Sequence, residues 1–192
     1  MEIKQKKLSN QHTFTFNEHS LNFAFKNKSG AEDVDVEYGT FPDKSSLLIE
    51  QNDWLRNVGV LWVLLGVFNI GRAVFNDNPL TGTGLWLFLG IICLIWFAVT
   101  KVRYSVFKTE TSNIFVIQNG QHDHIIDEIS KRKKAQLLQW YGDINADNDP
   151  ESEINKFRWL AEQNVITKEQ AEEKIAQVEF AHKDPDLQHK LN

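Results

Sequence analysis

The sequence predicts an α+β membrane protein: a small antiparallel sheet domain, split by a two-helix transmembrane hairpin and followed by a C-terminal helical hairpin. Three observations carry this expectation. First, the 192 residues are 24% charged with a mean hydropathy of −0.38, the average of a soluble protein. Yet from Asn57 to Thr100 the only charged residues are Arg72 and Asp77. Second, on both sides of that stretch apolar residues recur with period two, the mark of half-buried strands. Third, two late segments with helical spacing carry their own start and stop signals.

The first ten residues contain no apolar run, so no cleavable signal peptide is expected. Phe14 with Phe16, Leu21 with Phe23 and Phe25, and Val34 with Val36 and Tyr38 then alternate with polar residues. They predict strands over residues 13–17, 21–27 and 33–38, with a fourth at 46–51. The turn formers of residues 17–20 and Lys28-Ser29-Gly30 join them. Asp33, Asp35 and Glu37 share one strand face and read as its wet side.

Residues 54–103 form the membrane hairpin, with spans expected at about 56–75 and 81–101. The second is the plainer of the two: residues 78–100 hold no charge, which is about 34 Å of helix against a hydrocarbon core of roughly 30 Å. The first is interrupted by Arg72, whose long stem lets the guanidinium reach the headgroups while the helix continues to Phe75. Asn76, Asp77, Asn78 and Pro79 close the turn between them. Lys44, Arg56, Lys101, Arg103 and Lys108 gather at the open end and only Arg72 at the turn, so both termini are expected in the cytoplasm. Asn69 reads as a polar contact near the interface rather than a permeation site, and no G-x-x-x-G pair is present. Cys93, the single cysteine, can form no intramolecular disulfide.

After the membrane, residues 104–110 and 113–118 predict two more strands and residues 123–141 a helix with Ile126, Ile129, Leu137 and Trp140 or Tyr141 on one stripe. Neither flank is stable alone, so residues 11–53 and 104–142 are expected to pair into one sheet under that helix. Six strands followed by one long helix, with the stretch from Asn113 to Leu138, resembles the pleckstrin-homology-like fold of bacterial membrane proteins. That resemblance implies binding of lipid headgroups or peptides rather than catalysis. The family's phosphoinositide sites usually carry a basic loop between the first two strands, where this chain has Asn17-Glu18-His19-Ser20.

Residues 150–181 predict a helical hairpin. Asp149 is suited to cap the first helix and Pro150 to open it, Asn164 can end it in a left-handed conformation, and Thr167 to Gln170 form a capping box for the second. With Phe157 and Leu160 on the first stripe, the Ile166-Thr167 pair, Glu169, Lys174 and Val178, this segment resembles the SHOCT (short C-terminal) domain of bacteria. Asn164 stands where that family has glycine and Ala171 where it has an aromatic. The resemblance implies self-association or recruitment of another protein, with Phe157, Leu160, Ile166, Ile175 and Val178 as the interaction residues, and a bacterial inner-membrane setting. Residues 182–192 are a short tail.

No catalytic, cofactor-binding or metal-ligating residues are expected. His122, Asp123, His124, Asp127 and Glu128 are the only cluster with ligand chemistry, and two histidines at i,i+2 without cysteine make a poor tetrahedral site. No G-x-S-x-G, Walker A or H-E-x-x-H motif occurs. A net charge of −5 argues against nucleic acid as a partner. The expected partners are the bilayer and another protein or a second copy, in a membrane-anchored scaffold without evident catalysis. The alternative is a lipid-responsive sensor using the basic run Lys131, Arg132, Lys133 and Lys134.

Overall fold

The computed structural model describes residues 1–183 except Lys28, Ser29, Asn78 and Ala146. Parts of two expected turns, at Lys28-Ser29 and Asn78, and residues 184–192 of the tail therefore lie outside the described residues. The chain is α+β, with two antiparallel sheets and five α-helices among the described residues. The first sheet runs in the order β1 (Glu2–Lys7), β2 (Asn10–Phe16), β3 (Ser20–Lys26), β4 (Ala31–Glu37). The second runs β5 (Ser46–Glu50), β6 (Val102–Lys108), β7 (Asn113–Ile117).

Two expectations change here. The flanks pair, but into two sheets rather than one, and a strand precedes the first one expected. β1 escapes a period-two reading because its inward positions are Ile3 and Gln5, only one of them apolar. Gln5 is 1% exposed and replaces a neighbouring strand. Its Nε2 donates to the Ile117 carbonyl and the Ile117 N–H donates to its Oε1, both at 2.8 Å, so one side-chain amide joins β1 to β7. After β4, a 3-10 turn at Tyr38–Thr40 and then Pro42 divert the chain, and β5 pairs with β6 instead.

The core between the sheets is aromatic: Phe14, Phe16, Leu21, Phe23, Tyr38 and Phe41 meet Phe107, Ile114 and Val116. Helix α3 (His122–Tyr141) covers it with Ile125 and Ile129. Its buried stripe continues through Lys133, Gln136 and Leu137, so the stripe is shifted from the one expected: Ile126 is only half-buried and Trp140 and Tyr141 are exposed. A purely apolar search overlooks Lys133 and Gln136 because their polar tips bond backbone groups across the core edge. Gln136 accepts from the Gly39 N–H at 2.6 Å and donates to the His19 carbonyl at 2.9 Å.

Two helices leave the second sheet between β5 and β6. Asn52 caps α1 (Asp53–Phe75), its side chain accepting from the Leu55 N–H. Asn76 closes it by bonding the Arg72 carbonyl, and Asp77 turns left-handed at φ 51. The partner helix α2 (Leu85–Thr100) starts four residues later than expected. Gly82 adopts φ 82, and the Thr83 hydroxyl and N–H both bond the Leu80 carbonyl, so residues 80–84 form a turn. Of the two, α1 alone is long and apolar enough to cross a membrane, with a mean hydropathy of 1.9; α2 at 16 residues spans about 24 Å. Glycines set their approach. A Cβ on Gly90 would lie 2.7 Å from the Val63 nitrogen and one on Gly66 would lie 2.6 Å from the Leu87 Cα.

Helices α4 (Pro150–Glu162) and α5 (Lys168–Lys183) form the C-terminal hairpin. Asp149 accepts from the N–H groups of Glu151 and Ser152, Asn164 takes φ 54, and Thr167 and Gln170 exchange bonds at 2.9 and 3.2 Å.

Candidate functional site

The most developed polar site lies where the helices leave the sheets. Glu50 at the end of β5 faces Val102 at the start of β6, which closes the base of the helical pair. The β1–β2 turn, with Leu8 at φ 56, leans over the same point. Between them is an open cavity of about 750 Å³. Ser9, Asn10, Glu50 and Asn52 give it a polar side, and Leu8, Leu55, Trp96 and Val102 an apolar one.

The polar side is built from inside the protein. On the inward face of β2, Phe16 and Phe14 give way to His12 and Asn10 as the strand nears the helices, and all four are buried. Asn10 Nδ2 donates to Tyr104 Oη at 2.5 Å and to Glu50 Oε2 at 3.0 Å, and Tyr104 Oη donates to the same carboxylate oxygen at 2.8 Å. Burial, and then the Glu50 carboxylate, push the Tyr104 hydroxyl far above the ordinary phenol range, so it remains a donor. His12 stacks on Tyr104 with ring centroids 5.8 Å apart, and its Nδ1 donates to the Phe115 carbonyl at 2.7 Å. Burial pushes its pKa below the ordinary imidazole value and the ring is neutral at pH 7. The arrangement fixes one carboxylate at the rim of a half-polar, half-apolar cavity. Sequence reading missed these residues because Asn10, Glu50 and Tyr104 lie on three strands far apart in the chain. The legible signal was the alternation of β2 running on into polar residues at Asn10 and His12.

The residues proposed from sequence are placed elsewhere. In the basic run only Lys131 and Lys134 are exposed. Arg132 bonds Glu128 at 2.7 Å and the Asn17 carbonyl at 2.8 Å, and lies over the Phe16 and Tyr38 rings. Lys133 is 9% exposed and donates to the Phe41 carbonyl and to Asp43. The run therefore fastens α3 to the sheet rather than presenting four free cations. In the C-terminal hairpin Phe157, Leu160 and Val178 are buried with Leu137 of α3, while Ile166 and Ile175 are half-buried beside them. These five residues hold the hairpin together and dock it on α3, which leaves its outer surface for any partner.

Among the described residues no group of three or more His, Cys, Asp or Glu is arranged to hold a metal ion. The histidine cluster instead gives a contact that sequence reading did not find. Ser105 Oγ lies 2.8 Å from His122 Nε2, whose Nδ1 lies 2.7 Å from Asp123 Oδ1. The atom order is that of a serine nucleophile relay. Ser105, however, is 6% exposed and accepts a further bond from Gln118, while the Asp123 side chain is 95% exposed. The contact joins β6 to the first turn of α3.

No family model, curated protein or solved structure matches this chain.

Proposed function

We propose that the chain is a membrane-anchored interaction module: α1 and α2 cross the bilayer as a hairpin, the two sheets and α3 sit at the cytoplasmic face of a bacterial inner membrane, and α4–α5 bind another protein or a second copy. The observation that carries this is the inverted burial of the two helices. The only buried residues are Gly59, Gly66 and Ala73 in α1 and Gly90 in α2, whereas Leu61, Leu64, Phe68, Phe88, Ile95 and Val99 face outward. A core helix of a soluble protein buries its large side chains, and only 17% of the most apolar stretch of α1 is buried.

Further support comes from the base of the hairpin. β5 enters α1 within three residues and α2 enters β6 within two, and the strands pair with each other, which ties the second sheet closely to the base of the helix pair. Arg56, Lys101 and Arg103 lie at this end and Arg72 at the other, which favours the cytoplasm for the sheets. The shorter α2 is accommodated by the uncharged residues of the turn before it and by local thinning of the bilayer. Two sheets covered by one helix support the pleckstrin-homology-like reading, and the paired caps of α4 and α5 support the SHOCT-like one. The lipid-sensor reading loses its motive, because Arg132 and Lys133 are engaged inside the fold.

Deleting residues 150–192 tests the role given to the tail. Cross-linking in native membranes is expected to give a smaller complex than the full chain does, with insertion unchanged. An unchanged complex would remove the tail from the account.

A further inference from the structure

The cavity at the base of the hairpin continues along α2. A second, mainly apolar groove of about 410 Å³ is lined by Leu8, Ile92, Ile95, Trp96, Val99 and Thr100. It shares Leu8, Trp96 and Thr100 with the first, so the two make one path from the polar rim to the outward face of α2. Leu8 is the hinge of that path. It is 53% exposed and held left-handed at φ 56, a conformation unfavourable for a leucine. The strain places an apolar side chain against Trp96 and Thr100, at the level where the helix meets the sheets.

The charge at the polar end is specific. Of the two ionisable residues that line it, Asp53 is paired with Arg56 at 3.2 Å and accepts from Gln51. Glu50 has no ion pair among the described residues; its bonds are from Tyr104 and Asn10, both to Oε2. These neutral donors hold the carboxylate in place without cancelling its charge. Lys7 and Lys101, each next in the chain to a lining residue, stand beside the rim, where Lys7 Nζ donates to the Lys101 carbonyl at 2.7 Å. One negative point with positive charge close by, above an apolar groove, matches a zwitterionic amphiphile.

We infer that the junction cavity and the α2 groove together bind one phospholipid whose headgroup ends in a primary ammonium, with the ammonium on Glu50, the phosphate on the side of Ser9, Lys7 and Lys101, and an acyl chain along Leu8, Trp96 and Val99. A primary ammonium brings three N–H donors to a fixed carboxylate, which a quaternary ammonium or a glycerol headgroup does not. This inference rests on the membrane reading above and assigns its junction a ligand. The lipid would also wedge the β1–β2 turn against α2 and so set the angle between sheets and membrane.

The full chain, delipidated in mild detergent and offered phosphatidylethanolamine, phosphatidylcholine or phosphatidylglycerol of matched chains, provides the test by native mass spectrometry. The amine lipid is expected to be retained about tenfold better than the other two, and Glu50→Gln to abolish that preference. Glutamine keeps an acceptor for Tyr104 and Asn10, so the fold is preserved. As a second variant, Thr100→Trp fills the point where cavity and groove meet and should reduce retention of all three lipids. Equal retention of the three lipids, or an amine preference that survives Glu50→Gln, would overturn the inference. Alkaline carbonate extraction separates the two claims: a chain released from membranes by carbonate refutes the membrane reading itself, and an embedded chain without amine preference refutes only the lipid site.

Discussion

Lys133 shows how a residue's type can mislead until its surroundings are known. Within a run of four cations it reads as part of a lipid-facing patch, yet its ammonium is bound by the Phe41 carbonyl and Asp43 while its neighbours Lys131 and Lys134 face solvent. Lys133→Met should therefore cost about 1–3 kcal/mol in chemical denaturation, because it leaves a buried carbonyl unpaired, whereas Lys131→Gln with Lys134→Gln should change stability by less than about 0.5 kcal/mol. Equal effects would show that the run acts as one surface. His12 gives a second test, in pH. Its pKa is lowered by burial, so the unfolded chain takes up a proton below the ordinary value of about 6.5 while the folded chain does not. Its contribution to stability is complete above that value and is lost as pH falls through the lowered one, with a slope of at most about 1.4 kcal/mol per pH unit for one proton. His12→Asn retains a donor for the Phe115 carbonyl and should flatten the pH profile below 6.5; an unchanged slope would assign it to other groups. The role of Lys133 is not legible from sequence, since the groups that bind its ammonium lie far away in the chain, and the only trace of His12 is that it continues the alternation of β2.

At the scale of elements, caps and turns are encoded locally, whereas strand pairing depends on residues far apart in the chain. The Asp149, Asn164 and Thr167 caps follow from chemistry within a few residues, and each appears where the sequence places it. β1 did not announce itself, because its stability comes from β2 on one side and the Gln5 amide on the other. The start of α2 was placed too early because hydropathy does not register the left-handed Gly82 that keeps the preceding turn from joining the helix. The α1–α2 contact depends on small residues at Gly59, Gly66 and Gly90. Gly66→Leu drives a side chain into the backbone of α2 and should separate the helices. Trp62 and Trp86, edge to face at 5.6 Å, report on this directly. Their near-ultraviolet circular dichroism is expected to collapse in the variant while the far-ultraviolet signal persists. A retained Trp signal would mean that the glycines do not set the packing.

At the scale of the whole molecule, the composition contrast that opened the reading is also what organises the structure. A strand from each side of the apolar stretch joins in one ladder at Glu50 and Val102, so the α1–α2 hairpin is an insertion into a single folded unit rather than a tail on it. That much follows from sequence, given that neither flank could bury a core alone. The junction site does not follow, because it is assembled by three strands and two helices that share only their position at the hairpin base. The central claim is that both flanks lie on one side of the membrane and the α1–α2 turn on the other. In a Cys93→Ser background, single substitutions Asp77→Cys at the turn and Lys108→Cys in β6 can be exposed to an impermeant maleimide on intact spheroplasts. The account predicts labelling of Asp77→Cys in intact spheroplasts and of Lys108→Cys only after lysis; labelling of both at equal rates before lysis, or of neither, would contradict it.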